Sequence, residues 1–219
     1  MELSLGEQLL LLSYDDASGK PLIPASHLDY GQAGAYLLEL FYAGRIGIEH
    51  GKLVALDRQS PDPVLVKMRA ERPRSAVWWV LHLASPQRRQ ELLERLVDKG
   101  LLRRAEHKVL GIFPVRAYPE VDTTLERQII DHLREVLIGA TEPDRESVGL
   151  LGLIHVCGLD QKLFPDLDVK LIRRRIHELT EGDWSAPAVR RAITIMNAAV
   201  LAAVSGGIVS SNAGAVTTP

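Results

Sequence analysis

Apolar residues recur at three- and four-residue intervals along most of this chain, the spacing that lines one face of a helix. Ser4-Leu5-Gly6-Glu7 is a capping-box pattern and opens a helix over 8–13. A second helix is predicted over 28–45, with Leu37, Leu38, Leu40 and Phe41 turned inward. Short strands over 46–49 and 52–56, joined at His50-Gly51, read as a hairpin. Helices over 64–70 and 75–84 flank the breaker Arg72-Pro73-Arg74. A helix from Gln87 carries Leu92, Leu93, Leu96 and Val97 on one face and stops at Gly100, the place of a C-cap glycine. Strands over 101–104 and 109–113 follow as a second hairpin, and the helix over 122–138 repeats its apolar residues with regular spacing. The stretch 147–159 is apolar all round, so it is expected inside; helices over 168–179 and 187–204 complete the set.

No linker, repeat or low-complexity block interrupts this pattern. The expectation is a mainly α fold: a single globular helical domain, residues 1–204, with a buried apolar helix core and peripheral β-hairpins, then a flexible tail over 205–219. The charge-free stretch 192–209 is short and Ala-rich for a membrane span and is read as a buried central helix. Trp78 and Trp79 point about 100° apart on a helix, so one belongs to the core and the other nearer the surface.

At 219 residues, with 46% hydrophobic and 25% charged residues and a net charge of −2, the chain has the composition of an ordinary globular protein. Such a charge supplies no overall field toward nucleic acid or anionic lipid, so any such contact must be local. Cys157 is the only cysteine and lies in an apolar run, which fits a buried thiol in a reducing compartment. Nothing at the N-terminus reads as a secretory signal.

Catalytic chemistry has little support. Seven histidines are scattered without metal-ligand spacing. His155 lies in an apolar helix and reads as a hydrogen-bonded core histidine; Asp166 and Asp168 read as helix-start caps. Phosphate-loop, dinucleotide and nucleophile-elbow motifs are missing. The expectation is a non-enzyme that needs no cofactor and no metal.

Charge clusters say more. Lys67, Arg69, Arg72 and Arg74 form one, Arg173-Arg174-Arg175 another. Between Gln87 and Lys108, seven cations face four acids (Glu91, Glu94, Asp98 and Glu106), an excess of three. This segment runs into Val109, Leu110, Ile112 and Phe113. Positive charge beside an apolar hairpin tip suits an anionic membrane surface.

Taken in order, LSLGEQLLLLSYDDASG, LLELFYAGRIGIE, LVDKGLL with its apolar hairpin, LLGLIHVCG and NAAVLAAV resemble the Golgi phosphoprotein 3 family, prokaryotic-type members in particular. The resemblance implies a single helical domain and a peripheral membrane protein that inserts an apolar hairpin. In eukaryotic members a basic pocket binds phosphatidylinositol 4-phosphate, and glycosyltransferases are the clients. Aligned by eye, Pro24 falls where those members have a tryptophan, and Ala33 and Pro86 where they have arginines; Arg89 matches the remaining one.

Three readings stay open. In the first, a cytoplasmic protein sits at a membrane surface, Arg88, Arg89, Arg103 and Arg104 meeting anionic headgroups and Val109, Leu110, Ile112 and Phe113 entering the bilayer. In the second, a soluble scaffold binds unknown client proteins and uses the hairpin to form a homo-oligomer. In the third, the helix and hairpin bind nucleic acid as a winged helix does. Glu91, Glu94 and Asp98 oppose phosphate approach and place that reading last.

Overall fold

The computed structural model describes residues 2–109, 113–182 and 184–212; for 107–109, 113–115 and 207–212 the description is of the backbone alone. The helices are α1 (Leu5–Leu11), α2 (Ala25–Tyr42), α3 (Pro63–Ala70), α4 (Ala76–Leu83), α5 (Pro86–Asp98), α6 (Thr124–Ile138), α7 (Arg145–Cys157), α8 (Asp160–Leu163), α9 (Val169–Glu181) and α10 (Pro187–Asn212). The strands are β1 (Ile46–Glu49), β2 (Lys52–Ala55), β3 (Arg74–Ser75), β4 (Ala105–Val109) and β5 (Phe113–Ala117). The fold is mainly α, as the periodicity predicts.

Every residue of α7 from Ser147 to Ile154 is buried, so its apolar run is satisfied by neighbours on all sides: α2, α10, α1, α9 and α6. The packing of α2 on α10 is close. A Cβ added at Gly34 would lie 2.5 Å from Val200 Cγ2 and 3.0 Å from Leu153 Cδ2, so only a glycine lets these helices approach. The capping box forms as expected: Ser4 Oγ accepts from Glu7 N, and Ser4 N donates to Glu7 Oε2 at 2.9 Å. Trp79 is wholly buried while Trp78 is partly buried.

Some expectations are corrected. α10 is a wall of the core rather than a wrapped centre: Ala192, Ile193, Met196, Ala199 and Val200 are buried, but Thr194, Ala198, Leu201 and Ala202 are exposed. It is the one helix among the described residues long and apolar enough to cross a membrane, yet only 39% of 187–206 is buried. Alanine favours helix whether covered or not, so an Ala-rich run does not report burial. The helix also continues to Asn212, past the expected start of the tail. β3 pairs with β2 and makes the first hairpin a three-stranded sheet, where the sequence suggests the end of a breaker and the first residue of a helix.

The second hairpin is shifted in register. Its strands pair Ala105 with Ala117 through Val109 with Phe113, not 101–104 with 109–113. Leu101 and Leu102 do a different job. Their N–H groups donate to Leu96 O at 3.0 and 3.3 Å, finishing α5 beyond Gly100, whose φ is +74°. Leu102 is then buried and bridges to Glu120.

Candidate lipid-facing site

α5 carries candidate cations at one end and leads into others at the hairpin, and the two groups have different surroundings. Pro86 starts the helix, where its missing N–H costs nothing. One turn on, Arg89 Nη1 donates to Asp29 Oδ1 and to the Ala25 carbonyl, both at 2.7 Å. These side chains are 16% and 12% exposed, so the pair is an internal strut between α5 and α2. Burial raises the Asp29 carboxyl above its usual range, and the Arg89 charge only partly offsets this. Arg88 lies on the Tyr36 ring, 4.3 Å from its centroid, and Tyr36 donates its hydroxyl to Asp62 Oδ2 at 2.5 Å.

At the other end, Arg103 and Arg104 are exposed. Arg104 Nε donates to Glu94 Oε2 at 2.6 Å, and this contact holds the Glu94 carboxyl below its usual range. Arg103 makes no side-chain hydrogen bond or ion pair among the described residues; its backbone N–H donates to Pro119 O at 3.0 Å. A groove of about 400 Å³ runs along the hairpin base, lined by Arg104 and Arg116 together with Glu94, Glu106 and Tyr118. Charge is close to balanced there, Arg103 being the excess. The four predicted headgroup cations therefore do not form one patch: two face α2 and two stand at the hairpin.

β4 and β5 pair with each other and have no other extensive contact with a helix or strand among the described residues. The backbone thus places Val109 at the end of one strand and Phe113 at the start of the other. Leu110 and Ile112 lie outside the described residues, and the description of Val109 and Phe113 stops at the backbone.

One constellation at the hairpin base escapes the pattern of apolar positions. Glu126 is buried in the first turn of α6, and both Glu120 carboxylate oxygens are buried without a hydrogen-bond partner. Burial, aided by Asp16 and Asp122, raises Glu120 to about 7; burial, aided by Glu120 and Asp16, raises Glu126 to about 8; Arg127 opposes both shifts. Glu126 shares the stripe of Ile129, Ile130 and Leu133, and that spacing is the signal that could have shown it was inside.

A family model for Golgi phosphoprotein 3 (GPP34) matches residues 5–196, from α1 well into α10. The chain belongs to the Golgi phosphoprotein 3 family. Against that family's eukaryotic pocket, Pro24 and Pro86 occupy the starts of α2 and α5, Ala33 is fully buried, and the matching arginine, Arg89, is held by Asp29. The positions that carry the tryptophan and two of the arginines of that pocket therefore hold Pro24, Ala33 and Pro86 here.

Proposed function

We propose that this protein is a peripheral membrane protein that meets anionic lipid with the β4–β5 hairpin foremost. The observation that carries this reading is the hairpin itself. Among the described residues it has no extensive contact with the helices, exposed arginines precede it, and the sequence VLGIF joins its strands. Each arginine near an anionic surface gains about 1 kcal/mol, and buried apolar side chains add to that. Selective recognition of phosphatidylinositol 4-phosphate is not part of this reading. Losing a charged headgroup partner costs roughly 1.5–3 kcal/mol, about ten- to a hundredfold in affinity, and more than one is lost here.

Co-sedimentation with neutral, phosphatidylserine, phosphatidylinositol and phosphatidylinositol 4-phosphate vesicles tests the proposal. Binding is expected to all anionic vesicles alike, and to weaken in Phe113→Asp and in Arg103→Ala/Arg104→Ala. No binding at low salt would overturn it. The acids Glu94 and Glu106 beside the hairpin favour a second reading, in which the hairpin docks on another protein or a second copy. Light scattering on Phe113→Asp separates the two: loss of an oligomer with no lipid binding in the wild type supports the second.

A further inference from the structure

Arg173-Arg174-Arg175 reads as one basic cluster, but the fold gives its members different surroundings. Arg174 and Arg175 reach Glu178 on their own helix at 3.7 and 2.6 Å, and Arg175 Nε also donates to Leu137 O at 2.9 Å. Arg173 makes no such contact among the described residues. It is exposed at the edge of a pocket of about 200 Å³ between α7, α9 and α10.

Each of the three helices lines this pocket with residues about one turn apart: Gly152 and His155 from α7, Arg173 and His177 from α9, Thr194 and Asn197 from α10. Asn197 is only 9% exposed, and its Oδ1 is buried with no hydrogen-bond partner among the described residues, so it has a bond left to offer. Its carboxamide lies so close over α7 that a Cβ at Gly152 would fall 1.9 Å from Asn197 Nδ2, so any other residue there would displace it. His155 Nδ1 meets Asp160 Oδ2 at 2.5 Å, and Nε2 has no hydrogen bond among the described residues. His177 Nε2 is 3.4 Å from Glu181 Oε2, so acids beside the pocket already have partners. Thr194 donates its hydroxyl to Arg190 O at 3.0 Å and keeps its lone pairs.

We propose that this pocket binds a small phosphate monoester. The guanidinium fork of Arg173 meets the phosphate oxygens, a geometry in which arginine excels. His177 flanks it, while Asn197, Thr194 and His155 face the hydroxyl-bearing remainder. The volume, about 200 Å³, suits a phosphate with one small polyol or sugar attached, not an acyl chain. The hairpin and its arginines take no part, so this site stands or falls separately from membrane binding.

The test is calorimetric titration of the full chain with glucose 6-phosphate, alongside sedimentation with phosphatidylinositol 4-phosphate vesicles. Saturable binding at one site is expected, weakened about tenfold or more by Arg173→Ala and unchanged by Arg174→Ala. Thr194→Val is expected to weaken it less. A loss confined to glucose 6-phosphate identifies a soluble ligand; a loss confined to vesicles identifies a lipid headgroup. Equal binding by wild type and Arg173→Ala, or equal losses in the Arg173 and Arg174 variants, would overturn the site, as would no saturable binding to either probe.

Discussion

Arg89 and Arg104 read alike in the sequence, as cations close to one helix, and each ends on a carboxylate. Arg89 closes a nearly buried pair with Asp29, its side chain 16% exposed; Arg104 reaches Glu94 with its own side chain 66% exposed. The first holds α5 on α2. The second leaves a cation in water at the base of the hairpin. The difference shows that a run of positive charge in a sequence is not a patch of positive charge on a surface: the partner and its burial decide which it becomes.

The same contrast, one letter in two environments, is sharpest in α10. Ala199 is 1% exposed and Ala198 is on the open side. Ala199→Glu buries an unpaired charge and is expected to cost about 4 kcal/mol or more, enough to unfold the domain. Ala198→Glu should cost no more than about 0.5 kcal/mol. Thermal denaturation of both variants decides; equal midpoints would mean that α10 has no buried face.

Asp29→Ala comes next, because it leaves Arg89 nearly buried without its carboxylate. A loss of about 2–3 kcal/mol is expected in urea denaturation. The double change Asp29→Leu/Arg89→Met should recover most of that loss, since burial already disfavours the charged form of Asp29. A double variant no more stable than Asp29→Ala would show that the pair is worth more than its desolvation.

How much of this was legible follows from what periodicity measures. Spacing reports which face is apolar, so it finds the longer helices and the wrapped α7 but not the one-turn α8, and the capping-box residues mark the start at Ser4. It says little about Ala-rich α10, because alanine fits either environment. Strand register failed for a related reason: Leu101 and Leu102 look like strand residues, but their backbone closes α5. The site was harder still. Nothing local to Arg89 announces Asp29, which arrives from another helix, and a stripe traced through apolar residues alone passes over Glu126, although its position on that stripe says buried.

Glu126 and Glu120 give the next test, by pH. Both carboxyls are raised, to about 8 and about 7, from the ordinary 4.5 of a glutamate. The folded state therefore keeps protons that the unfolded chain has released, and stability falls as pH rises from about 5 to about 8. Glu126→Gln is expected to flatten that fall and to add on the order of 1–2 kcal/mol at pH 8. A thermal midpoint that is flat or rising over this range in the wild type, or a slope unchanged by Glu126→Gln, would show that these groups ionise freely in the fold.

The smallest expected effect on stability is the one that isolates function. Arg104 is largely solvated and its pair with Glu94 is screened by salt, so Arg104→Ala should leave the thermal midpoint within error of wild type. If its charge is instead offered to a surface, the same variant should lose affinity for phosphatidylserine vesicles, about three- to tenfold, with the difference fading as salt is raised. Arg89→Ala should do the reverse, lowering stability first and affecting vesicle binding only where the fold has loosened. If instead Arg89→Ala weakened vesicle binding at full stability, and Arg104→Ala did not, the contrast between the two arginines would be inverted. The start of α5 would then be the lipid-facing end, and the hairpin would be left to a protein partner.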